Sequence, residues 1–105
     1  MDIDALERML ARGQDSPMLR FTLGNAYAGR KEHDRAEVHY RRAVELDPGY
    51  SAAWQALGRM QERLGDHAAA LETFRRGLDV ARERGDMQVV RALEVFVRRL
   101  EKRLG

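Results

Sequence analysis

Three histidines, His33, His39 and His67, are the side chains of this 105-residue sequence best suited to proton transfer or metal ligation. His33 and His67 stand 34 residues apart, at equivalent points when the chain is shifted on itself, so a shared metal would have to bridge that whole distance. His39 is expected in the middle of a helix, on its outer face. No cysteine is present, which removes thiolate zinc, iron–sulfur and disulfide chemistry and a cysteine nucleophile. No close carboxylate pair completes a histidine site, and no metal or other cofactor is expected. A Gly-x-Ser-x-Gly elbow, a phosphate loop, a dinucleotide fingerprint and a zinc-protease helix are all missing. The chain therefore reads as non-catalytic.

Arginine supplies the remaining chemistry. Nineteen basic residues face seventeen acidic ones, a formal net charge of +2. The pairs Arg41-Arg42, Arg75-Arg76 and Arg98-Arg99 could contact phosphates. Glu37, Glu45, Glu72 and Asp79 accompany them, however, whereas a nucleic-acid surface is less compensated and carries interleaved aromatics. Such alternation is the pattern of solvated i,i+4 pairs, and nucleic acid is set aside as a partner. The excess of arginine over lysine fits a GC-rich bacterial genome. Residues 1–4, Met-Asp-Ile-Asp, do not begin a secretory signal, and no apolar run is long enough to span a bilayer, so a cytoplasmic location is expected.

The elements that would position these residues are helices. Apolar residues recur at helical spacing in Leu19/Leu23/Ala26/Tyr27, Ala36/Tyr40/Ala43/Val44, Ala53/Trp54/Leu57/Met60 and Ala70/Leu71/Phe74/Leu78. Ser16-Pro17 reads as an N-cap with proline in the first turn. Asp34, Asp66, Ser51 and Asp86 read as further N-caps, Gly29 and Gly65 as helix ends where a left-handed residue is needed, and Arg84-Gly85-Asp86 as the end of the second repeat. Six helices are predicted, near 4–13, 17–29, 34–47, 51–64, 67–84 and 86–103.

Shifted by 34 residues, the chain overlays itself: Leu23-Gly24 on Leu57-Gly58, Ala36 on Ala70, Tyr40 on Phe74 and Arg41-Arg42 on Arg75-Arg76. Glycine inside a helix costs ~1 kcal/mol against alanine, so its recurrence at 24 and 58 predicts a close approach, with Ala36 and Ala70 expected as the facing small residues. Residues 17–50 and 51–84 resemble the tetratricopeptide repeat, whose pattern is Trp-x2-Leu-Gly-x2-Tyr, Ala-x3-Phe and Pro. The first copy carries Leu23, Gly24, Tyr27, Ala36, Tyr40, Ala43 and Pro48, with Arg20 at the Trp place. The second carries Trp54, Leu57, Gly58, Ala70 and Phe74, with Gln61 at the Tyr place and Gly77 at the second Ala. Residues 1–16 resemble the second helix of a repeat, and 85–105 a capping helix. The resemblance implies an all-α, right-handed α-α superhelix forming a single domain.

It also implies a concave groove lined by the first helix of each repeat. Its usual positions fall on Met18, Phe21, Asn25 and Ala28, then Ala52, Gln55, Arg59, Glu62 and Arg63; Phe96 of the last helix joins them as an apolar contact. The occupant implied is a peptide or helix of an unidentified protein. Some members of the family grip the C-terminal carboxylate of heat-shock chaperones with a lysine four positions before Asn25 and a second asparagine; Phe21 and Ala56 stand there, so that clamp is not implied. The last helix has one apolar stripe, Val89/Leu93/Phe96/Leu100, widened by Val90, Val97 and Leu104. Two readings stay open: all of it buries against the fifth helix, or part remains free for the groove or for a homodimer through this C-terminal helix, which would make the chain a self-associating scaffold.

Overall fold

A computed structural model describes residues 2–105 as six helices: α1 (Ile3–Ala11), α2 (Pro17–Gly29), α3 (His33–Leu46), α4 (Ser51–Arg63), α5 (His67–Arg84) and α6 (Met87–Leu104). No strand occurs among the described residues. Each helix packs on its neighbours in sequence, and α6 also reaches α4. The result is an elongated stack of 44 × 29 × 19 Å.

Local chemistry sets most of the helix ends. Ser16 accepts from the Leu19 amide at 3.0 Å ahead of Pro17, and Asp66 accepts from the Ala69 amide at 3.1 Å. Gly65 and Gly85 take positive φ, +87° and +70°, at the ends of α4 and α5. Three expected caps fall elsewhere. Asp34 lies inside the first turn of α3 behind Glu32, which makes no side-chain cap bond. Ser51 is the first residue of α4, and its hydroxyl donates to Asp86 at 2.8 Å, tying the starts of α4 and α6 together. Gly29 keeps its place in the helix, and the left-handed residue is Lys31, φ +59°. The loop runs two residues past Gly29 before it has to reverse.

The repeated glycines do mark a close approach, but the facing group is aromatic. A Cβ on Gly24 would stand 2.5 Å from Tyr40 Cδ1, and one on Gly58 the same distance from Phe74 Cδ1. Ala36 and Ala70 are fully buried beside these rings. Gly77 likewise lies against Trp54, whose indole donates to the Pro48 carbonyl at 2.8 Å and is 8% exposed.

His39 is in the core, not on the outer face. Its ring stacks on Tyr27, centroids 5.4 Å apart and planes 2° from parallel. Arg20 donates to its Nδ1 at 3.2 Å while gripping Asp15 through two nitrogens at 2.8 and 3.1 Å. Glu7 of α1 lies 3.9 Å from Nε2. The guanidinium at the Trp place thus builds a polar junction among α1, α2 and α3.

On α6 the buried stripe is Val90, Leu93, Val97 and Leu100; Val89 and Phe96 are half-buried, and Leu104 is exposed. The inward face of α6 is therefore centred on Val90 and Val97 beside Leu93 and Leu100, with Val89 and Phe96 at its edge. Ion pairs Arg75–Glu101 (2.8 Å), Arg82–Glu94 (3.3 Å) and Arg99–Glu62 (2.6 Å) surround this packing. Among the described residues, no helix is long and apolar enough to cross a membrane.

Candidate functional site

Because α2 and α4 present their free faces side by side, their polar and apolar residues converge on an open concavity of about 380 Å³. Phe21, Asn25 and Ala28 line it from α2. Ala52, Gln55, Ala56, Arg59, Met60 and Arg63 line it from α4, and Tyr40 reaches it from behind. Arg59 and Arg63 also border an adjoining hollow with Glu62, His67, Phe96 and Arg99. Seven of the residues expected in the groove, Phe21, Asn25, Ala28, Ala52, Gln55, Arg59 and Arg63, are therefore together, while Glu62 and Phe96 stand next door. Met18 does not join them. It projects, 71% exposed, beside a separate cleft bordered by Tyr50, Asp47 and Asp86.

The groove is stiff at one end. Phe21 packs on Tyr40 (5.7 Å between centroids) and on Tyr50 (5.0 Å). The Tyr40 hydroxyl donates to Asn25 Oδ1 at 2.5 Å, so the asparagine amide is oriented with its NH2 left to donate. Burial pushes the Tyr40 pKa up to about 12, so the hydroxyl keeps its proton and its donor role at any physiological pH.

The other end is cationic. Arg59 is exposed and its guanidinium lies 5.7 Å from the Phe96 ring centre; Arg99 covers the same ring at 5.1 Å. Glu62 is taken up by Arg99, whereas neither Arg59 nor Arg63 makes an ion pair among the described residues. Glu62, expected as a groove contact, is thus a brace for Arg99. The arrangement offers an aromatic wall, one oriented amide and two uncommitted guanidinium groups, and among the described residues no cluster of three His, Asp or Glu could hold a metal.

Tyr40, Met60 and Arg99 were not foreseen in the site. Tyr40 and Met60 carry core spacing in the sequence, and only the width of the gap between α2 and α4 brings them to its surface. Arg99 is brought there by its contacts with the Phe96 ring and with Glu62 of α4.

The sequence pattern of the tetratricopeptide repeat matches residues 18–83. The chain is 42% identical over 102 residues to the TPR repeat-containing protein PA0015 of Pseudomonas aeruginosa, covering 97% of each. It superposes on the solution structure of protein BPP2914 from Bordetella parapertussis with a TM-score of 0.82 at 46% identity, over 98% of this chain and 90% of that one. The TPR2B domain of yeast Sti1, in its pHsp70 complex, shares the fold alone: TM-score 0.85 at 19% identity, over 96% and 81% of the two chains. Helix count, repeat spacing, ring-on-glycine packing and these likenesses agree, and the chain belongs to the tetratricopeptide repeat family.

Proposed function

We propose that the chain is a non-catalytic binding module whose groove holds an extended segment of another protein, with an acidic group at Arg59 and Arg63 and an apolar side chain against Phe21. Tetratricopeptide repeat domains are protein-interaction modules, and the finer reading rests on one observation above the rest: the two guanidinium groups facing the groove have no carboxylate of their own. Asn25 supplies a backbone-directed donor, Gln55 a second amide, and Phe96 an apolar surface at the cationic end. A guanidinium accepts a carboxylate through two parallel bonds, and a groove held by ring packing before binding lowers the entropy cost on the host side.

Affinity selection from a randomised acidic peptide library, repeated on an Asn25→Ala, Arg59→Ala double variant, tests this. Sequences that bind the wild type and leave the variant support the groove. Sequences retained equally by both would place the contact elsewhere.

Self-association through α6 is the second reading, since Met87, Val95 and Leu104 are exposed there. Arg91, Arg98 and Lys102 flank Val95 on the same outward face, however, and a two-fold contact would oppose like charges. Light scattering after size exclusion separates the two: a concentration-independent monomer counts against the dimer.

A further inference from the structure

The two repeats fill the same junction with different side chains. Where α1, α2 and α3 meet, Tyr27 stacks on His39, Arg35 lies 5.7 Å from the centre of the Tyr27 ring, and Arg20 bonds His39. Thirty-four residues on, where α3, α4 and α5 meet, the places of Tyr27, His39, Arg35 and Arg20 are held by Gln61, Thr73, Ala69 and Trp54. Three of those four are smaller than their counterparts. All four line an open crevice of about 290 Å³, bordered also by Glu45, Glu72 and Arg76 and sharing no residue with the groove.

The crevice wall carries an acceptor without a donor. Gln61 is 5% exposed, and its Oε1 has no hydrogen-bond partner. In the first repeat the equivalent side chain is fully occupied by its stack. Arg41, Glu45, Glu72 and Arg76 border the mouth. Arg41 is held by Glu37, Arg42 by Glu45 at 3.4 Å, and Arg76 lies over the Trp54 ring at 5.1 Å. Glu72 makes no ion pair among the described residues.

We infer that this crevice is a second binding site, which receives an arginine side chain of a partner protein between Trp54, Gln61 and Glu72. The guanidinium is planar, as are the groups that fill the equivalent space in the first repeat. It carries donors and no acceptors, which matches an amide oxygen and a carboxylate that both lack donors. Lysine is a compact point charge without the planar shape. The site is independent of the groove: an acidic segment there and an arginine here are separate contacts, on different faces of α4.

The test is a nuclear magnetic resonance titration of the full chain with N-acetyl-arginine amide, reading the Gln61 side-chain amide and the Trp54 indole N–H. N-acetyl-lysine amide and N-acetyl-norleucine amide serve as controls. A saturable shift of both probes is expected with the arginine compound, severalfold weaker with lysine and absent with norleucine. Glu72→Gln, an exposed change that leaves the core intact, should weaken the arginine response severalfold. Gln61→Tyr, which restores the ring that the first repeat has, should abolish the Trp54 shift. No saturable shift in the wild type, equal responses to arginine and lysine, or a response untouched in both variants would overturn the inference.

Discussion

The ring of Tyr40 rests on the bare backbone of Gly24, and the contact recurs between Phe74 and Gly58. In both repeats an aromatic side chain of the second helix occupies the volume that a Cβ on the first helix would need. The aromatic and the glycine thus form one unit, which explains why each appears at the same place in both copies.

Gly58→Ala separates two effects of opposite sign. Helix propensity favours alanine by ~1 kcal/mol, whereas overpacking against the fully buried Phe74 costs roughly 1–3 kcal/mol. Packing should win, and urea unfolding should show a net loss of stability. A variant more stable than the wild type would mean that the ring moves aside freely.

Stability should fall as the pH drops below about 6.5. Burial pushes the His39 pKa below the ordinary histidine value of 6.5, assisted by Arg20, while Glu7 and Asp15 oppose the shift. The unfolded chain then takes up the proton before the folded one does, so the contribution is full above 6.5 and is lost on acidification through the folded value. Urea midpoints measured on either side of neutrality should differ less in His39→Gln than in the wild type. An equal slope in both would mean that His39 is not the group responsible.

Leu93 is fully buried against the α5 core that includes Phe74 and Leu78, whereas Leu104 is 49% exposed. Leu93→Ala should cost ~2–5 kcal/mol, a large share of the ~5–15 kcal/mol that holds a domain together. Leu104→Ala should stay within about 0.5 kcal/mol. Thermal melts of the pair measure how far the stack depends on α6. Similar melts would show that α6 can leave without disturbing the rest.

Tyr40→Phe keeps the ring over Gly24 and removes only the hydroxyl that holds Asn25 Oδ1. A loss of ~0.5–1.5 kcal/mol is expected. The Asn25 side-chain amide resonances should also broaden or shift as the group is released. Unchanged Asn25 signals would mean that another contact orients it.

Much of this architecture is legible from residues alone. Small and apolar residues recur at a fixed spacing because stacked helix pairs need them there, and so Leu23-Gly24 and Leu57-Gly58 announce both the repeat and the close approach. The Ser16-Pro17 and Asp66 caps are local chemistry and are equally readable. Phe21, Asn25, Gln55 and Arg59 come together because they share the free faces of two equivalent helices.

What periodicity determines is the face of each helix relative to its own axis. The offset and rotation between helices depend on contacts made across the stack, and those decided the rest. Tyr40, not Ala36, meets Gly24 because its ring reaches across the gap. His39 is buried because α1 and Arg20 close over a position that helical spacing alone leaves at the surface. Packing against α5 and α4 set the face of α6, with Val90 and Val97 inward and Arg99 beside Glu62. That placement engages the carboxylate of Glu62, and Arg59 and Arg63 make no ion pair among the described residues.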